Sequence, residues 1–343
     1  MTTLSRTLLY GTTALACGFY AADAYADPVS ADLFYTTFGG GQNVWEVTAT
    51  LNGSSLTFNN NHNIASTAGA DGLLFLPDGN LAIAGQNANN PAQVHEITTA
   101  GGAVASANTT ANSNGSYHLA LSSNAPNATL YTVCNTNCGS NLTAFTLAAG
   151  GLSANGTRIT VSGGPGSTQV VGLVFDPANS TWYYGTATDN NTSGDFGTVI
   201  FSGTTATLTR LLSGVPAHGL TYDPFTTDII FSSGNQIDQY RPGTGIVSTR
   251  TVATSGDEFD QSAADGHGHL FVASNNGNLV AIDYDASGLI GTGAIGESFL
   301  ASTLDDISPL SGSGGRTVPE PASLLLLGSA LLGLGLARRR AGA

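Results

Sequence analysis

Six positions of this 343-residue chain stand at one offset in a recurring strand pattern, and they carry Asp71, Tyr117, Val171, His218, Asp260 and Asp305. Each lies two residues before the opening apolar-type anchor of its copy, namely Leu73, Leu119, Leu173, Leu220, Ser262 and Ile307. If the copies radiate from a common axis, three carboxylates and one imidazole meet at a shared radius. Carboxylate oxygens suit Ca²⁺, and an imidazole adds affinity for a transition ion. The candidate metal ligands are therefore Asp71, His218, Asp260 and Asp305, with Ca²⁺ as the candidate ion. The competing reading of the same residues is a set of solvated loop ends, and even a bound ion could be purely structural.

Other chemistry is sparse. There is no Lys among the 343 residues, which removes a P-loop lysine, a Schiff base and a lysine general base. No Gly-x-Ser-x-Gly, His-Glu-x-x-His or EF-hand loop occurs, so no catalytic residue is assigned. Cys134 and Cys138 flank a polar tripeptide. In an oxidising compartment they are expected to form a local disulfide, worth about 2 kcal/mol in the chain-entropy model. His267 and His269 flank Gly268 and are read as a hairpin tip, with a shared metal as the alternative. Trp45 and Trp182 fall in strand patterns and are expected to pack between strands. Asp257, Glu258 and Asp260 read as a solvated acidic loop that could hold a cation.

The elements that must position these residues are hairpins. Asp71 to Ala84 (DGLLFLPDGNLAIA), Val171 to Tyr184 (VGLVFDPANSTWYY) and His218 to Phe231 (HGLTYDPFTTDIIF) each place two apolar strands around a Pro/Asp turn. Weaker copies start at Tyr117 and Asp260. The anchor spacings are 46, 54, 47, 42 and 45 residues, the period of a β-propeller. The sixth copy, Leu304 to Leu310, has only an opening strand, while Asp32 to Phe38 and Val44 to Thr48 supply strands that lack one. The expected fold is all-β: a six-bladed β-propeller over residues 27–310, closed by pairing its C-terminal strand with N-terminal strands. A β-solenoid or a pair of β-sandwiches is the alternative.

Charge narrows the partners. With 9 basic against 23 acidic residues the net charge is −14, which excludes a nucleic-acid binder driven by phosphate neutralisation. Between residues 27 and 315 only Arg158, Arg210, Arg241 and Arg250 oppose 21 acids. A basic partner, a cation, or extracellular polysaccharide bridged by cations fits such a body.

Both ends are apolar for reasons other than a core. Arg6, the apolar run to Ala22 and Ala24-Tyr25-Ala26 read as a signal peptide spanning residues 1–26, to be cut by signal peptidase after entry into the secretion machinery. After a Gly/Ser linker at 311–317 comes a tail at 318–343: Pro319-Glu320-Pro321, an uncharged span at 322–337, and Arg338, Arg339 and Arg340. Sixteen helical residues reach about 24 Å, a short transmembrane helix that leaves the arginines in the cytoplasm and the body outside.

That tail resembles the PEP-CTERM sorting signal of Gram-negative surface proteins. The resemblance implies that an exosortase recognises Pro319, Glu320 and Pro321, that the inner membrane holds the tail transiently, and that the body ends at the cell surface or in the extracellular matrix. It further suggests exopolysaccharide-producing, biofilm-forming bacteria. Gly172 to Pro177 (GLVFDP) and Gly268 to Ala273 (GHLFVA) resemble NHL-like and lactonase-like propellers at the level of the fold. Lactonase-like relatives hold a channel metal, although their Glu and Asn ligand pattern is missing here. The expected function is that of a non-enzymatic binding or structural propeller. The alternative is a Ca²⁺-dependent, lactonase-like hydrolase working in the central channel.

Overall fold

Acid-headed turns set the strand spacing. Asp176 and Asp223 each precede a proline that presets the turn, and each carboxylate accepts the amides two and three residues on: Ala178 and Asn179 at 2.9 and 3.2 Å, Phe225 and Thr226 at 3.0 and 3.2 Å. Asp78, Asp265 and Asp285 hold their own turns in the same way. The computed structural model describes residues 28–38, 41–85, 92–109, 116–133, 141–163, 169–187, 193–252 and 258–309. The expected signal peptide at 1–26, Cys134 and Cys138, Asp257, the expected linker at 311–317 and the 318–343 tail lie outside the described residues.

Within them every regular element is a strand. No helix there is long and apolar enough to cross a membrane. In chain order, β1 (Val29–Thr37), β2 (Val44–Asn52) and β3 (Ser55–Ala65) form one antiparallel meander. A second contains β4 (Leu73–Phe75), β5 (Leu81–Ala84), β6 (Gln93–Ile97) and β7 (Ala103–Asn108). Next come β8 (Leu119–Leu121), β9 (Thr129–Thr132), β10 (Asn141–Ala148), β11 (Gly151–Leu152) and β12 (Thr157–Gly163), then β13 (Gly172–Asp176), β14 (Thr181–Gly185), β15 (Gly194–Ser202) and β16 (Thr205–Val215). Two further meanders are β17 (Gly219–Tyr222), β18 (Ile229–Ser233), β19 (Gln236–Arg241), β20 (Gly245–Thr251), and β21 (Phe259–Ala264), β22 (His269–Ser274), β23 (Asn278–Asp283), β24 (Ala294–Phe299).

The last strand, β25 (Leu304–Pro309), returns to the start and pairs antiparallel with β1, Leu33 opposite Pro309 and Tyr35 opposite Ile307. The expected terminal closure is thus present. The first strands β4, β8, β13, β17, β21 and β25 lie side by side in that order, and β25 meets β4 again. Apolar clusters seal successive sheets: Phe34 and Val44 with Phe75 and Ile83, Leu74 with Leu130 and Phe145, Leu142 with Leu173 and Tyr184. Val174 and Phe196 meet Leu220 and Phe231, Ile230 meets Leu270 and Val280, and Phe271 and Leu279 return to Leu33 and Val47. Trp182 packs among Tyr131, Phe175 and Phe201, whereas Trp45 stacks on its cross-strand partner Tyr35.

One feature was not expected from the repeats. The first half of β12 pairs with β10, but Thr160–Gly163 run parallel to Thr205–Leu208 of β16, joining two meanders into a nine-stranded sheet. Two outer edges that would otherwise stay open are thereby paired.

Glycine sets how closely the inner strands meet. A Cβ on Gly172 would stand 2.2 Å from the His218 carbonyl oxygen, and one on Gly219 would stand 2.0 Å from that of Asp260. Because the clashing atoms are backbone, no side chain can yield. Gly219→Ala should therefore lower stability by about 1–3 kcal/mol, while Gly102→Ala, which meets only the flexible Thr98 side chain, should stay within about 0.5 kcal/mol. Urea unfolding midpoints of the two variants check this.

Candidate metal centre

Of the offset positions, Tyr117, His218 and Asp260 come within hydrogen-bond reach of one another, whereas Asp71 and Asp305 lie outside the group of described residues whose ligand atoms share a 4.8 Å reach. Asp71, Tyr117, His218, Asp260 and Asp305 all end up buried at the start of the inner strands, while Val171 joins an apolar cluster. The loop-end alternative does not hold, because His218 and Asp260 are both 0 % exposed. Asp260 is likewise not part of a solvated acidic loop. Local backbone bonds fix these positions: the His218 amide donates to the Ser232 carbonyl and the Tyr117 amide to that of Val133, both at 2.9 Å. The Thr36 hydroxyl donates to the Asp71 carbonyl at 2.7 Å and accepts from the Asp306 amide at 3.0 Å.

Asp260 is the hub. Its Oδ1 lies 2.7 Å from His218 Nε2, 3.0 Å from His118 Nε2 and 3.2 Å from the Tyr117 hydroxyl. The same hydroxyl is 2.7 Å from His218 Nε2, and the Tyr117 ring stacks on His118 at 4.2 Å. Asp306 Oδ1 stands 3.4 Å from His118 Nε2, and its Oδ2 accepts the Leu73 amide at 3.0 Å.

Protonation follows from burial and crowding. Burial pushes the Asp260 carboxyl up, but hydrogen bonds from Asp305, His118 and His218 together outweigh it and hold the group well below the usual carboxylate range. Asp305 goes the other way: burial, then the charges of Asp71 and Asp260, raise it well above that range, so it is the proton donor of the pair. Burial also raises Asp306, against the pull of His118, to about 7.

His118, His218 and Asp260 can each offer one ligand atom, all within 4.8 Å of one another. His218 Nδ1 lies 3.0 Å from the Ala187 carbonyl, which can only accept, so Nδ1 carries the hydrogen. Nε2, 2.7 Å from Asp260 Oδ1, is therefore the ring atom that a cation bridging the two side chains would meet. Asp260 Oδ2 and His118 Nδ1 are buried without a hydrogen-bond partner among the described residues.

His118 and Asp306 were not among the expected ligands. Both sit one residue nearer the strand than the offset used, where strict alternation would point them away. At Asp306 a β-bulge defeats that alternation, the β25 register shifting between Tyr35 and Thr37, whereas His118 stands just before the first residue of β8, outside the strand. A signal did exist in the sequence. That position is glycine in three copies (Gly72, Gly172, Gly219) and becomes His118, Gln261 and Asp306 in the others. By contrast, His269 and His267 turn to Asp265, with His269 Nδ1 at 2.5 Å from its carboxylate, which matches the hairpin-tip reading.

The cluster makes stability depend on pH. A carboxyl whose folded pKa is raised favours folding below its unfolded value of 3.8, and that contribution is lost as pH rises through about 7. Asp260 does not oppose this, because its stabilisation is lost only well below 3.8. In metal-free protein the thermal midpoint should therefore fall between pH 5 and 8. Asp305, raised well above the carboxylate range, adds to the same fall, so Asp306→Asn, which keeps an acceptor for the Leu73 amide, should make the fall shallower without abolishing it, as differential scanning calorimetry across the pH range would record.

Residues 317–340 match the PEP-CTERM protein-sorting motif. No curated protein matches the chain. Among solved structures it is similar to the periplasmic gluconolactonase PpgL of Pseudomonas aeruginosa, at 14% identity and a TM-score of 0.52 over 81% of this chain and 98% of that one. A streptogramin B lyase gives 13% identity and a TM-score of 0.50 over 82% and 90%. At such identity these neighbours speak to the fold. The chain carries a PEP-CTERM sorting motif behind an all-β body whose structural neighbours are lactonase-like and lyase-like propeller proteins.

Proposed function

We propose that this protein is exported and sorted to the cell surface or extracellular matrix as the substrate of an exosortase, its body a six-bladed propeller that binds or scaffolds rather than catalyses. The motif at 317–340 carries the reading, because it follows the described strands and matches a protein-sorting signal. The N-terminal apolar run ending in Ala24-Tyr25-Ala26 and the arginines at 338–340 support the same orientation across the inner membrane. We extend this reading to a role in an exopolysaccharide matrix. Intact mass of the protein recovered from membrane, surface and medium fractions tests it. A surface or medium form that begins at Asp27 and ends near Pro319 is expected. A form that keeps Arg338 to Ala343 and stays in the inner membrane would contradict the sorting.

A second reading, a metal-dependent hydrolase, is favoured by one observation: the mutual reach of His118, His218 and Asp260. Two imidazole nitrogens and a carboxylate suit Zn²⁺ or Fe²⁺ better than Ca²⁺, which prefers oxygen ligands throughout. Such an ion would polarise an ester carbonyl or acidify a bound water. The three side chains are at most 2 % exposed, so the donor set also serves a purely structural ion. Co²⁺ titration should give a visible absorption band that His118→Ala abolishes. Lactone turnover that rises with metal and disappears in the same variant would mark an enzyme, and metal binding with no turnover would mark a structural centre.

A further inference from the structure

Beyond the polar cluster, the inner strands enclose a cavity of about 310 Å³. Its inner end is ringed by the six anchors, Leu73, Leu119, Leu173, Leu220, Ile307 and Ser262. They stand two residues, roughly 6.6 Å, further along their strands than the cluster. All six are buried, whereas Ser123, Asn124, Pro177 and Pro224, in the first hairpin turns at the opposite end, are exposed. The cavity is therefore a one-mouthed pocket that opens between the hairpin turns and ends against the buried cluster. Although the body is strongly acidic, no charged residue lines it among the described residues.

Ser262 breaks the pattern. Five anchors are aliphatic, and the sixth is a serine whose hydroxyl is buried without a hydrogen-bond partner among the described residues, on a side chain 3 % exposed. A leucine there would repeat the other copies and leave no orphaned hydroxyl. Burying an unpaired hydroxyl is unfavourable unless something in the cavity completes it.

We infer that this pocket binds a small neutral amphipathic molecule, with an aliphatic body against the leucine ring and a hydroxyl or carbonyl on Ser262 Oγ. The volume admits roughly a dozen non-hydrogen atoms, at the small end of ligand pockets. Charged ligands are excluded, because no lining group would compensate a desolvated charge. The site lies beyond the metal-ligand cluster and requires only the folded chain, so its test does not depend on export or on metal.

Titration calorimetry of the purified full chain with 1-octanol, octanoate and octylamine tests it. One saturable site for 1-octanol is expected, at least tenfold tighter than for either charged analogue. Ser262→Ala should weaken 1-octanol by about three- to tenfold, the worth of one hydrogen bond. Ser262→Leu should abolish the site while unfolding at a temperature no lower than the parent's, since it restores the residue type of the other copies. Non-saturable uptake, octanoate binding as tight as octanol, or octanol affinity unchanged in both variants would each overturn the inference; the last would place binding elsewhere, for example on the apolar span at 322–337.

Discussion

The pairing of the last described strand with the first is the contact on which the rest depends. β25 has no sheet of its own, and β1, β2 and β3 lack an inner strand until β25 arrives. Joining them closes the circle of apolar clusters, so that each sheet is packed on both faces. It also carries Asp306 across more than two hundred residues to Leu73, and sets Asp305 beside Asp260. Without that pairing the inner end of the pocket and the buried cluster would both be open.

A cluster of this kind is costly in a protein interior, and its arrangement shows how the cost is met. One carboxylate, Asp260, stays ionised because two imidazoles, a phenol and a neutral carboxyl surround it. Asp305 is kept neutral by the same crowding and becomes a donor. Removing any one partner would strand a buried charge, which is the situation that destabilises most. The glycines at 172 and 219 serve the same end, since they allow inner strands to approach until neighbouring side chains touch.

The acidic composition has a structural use as well. Asp71, Asp176, Asp223, Asp228, Asp238 and Asp260 are each 0 % exposed. Some cap turns, Asp228 grips Arg241 through two bonds at 2.9 Å, and Asp260 organises the cluster. The field that a partner meets is therefore weaker than the formal charge suggests, because buried and hydrogen-bonded acids contribute less to the surface. A neutral pocket in such a body is set apart by the lack of charge in its lining.

Periodicity alone determined the all-β class, the hairpins around Asp176 and Asp223, and the completion of a C-terminal strand by N-terminal ones, since strand alternation and turn chemistry are local. It also marked Asp71, His218, Asp260 and Asp305 by a shared offset, and all four are buried at the starts of inner strands. Tertiary structure decided the rest. His118 and Asp306 face inward only because a strand start and a bulge break the alternation that a sequence pattern assumes. The parallel join of β12 to β16 depends on where two outer edges fall in space. Whether Asp305 carries a proton, and whether the Ser262 hydroxyl has a partner, depends on neighbours drawn from distant parts of the chain, and no local pattern records them.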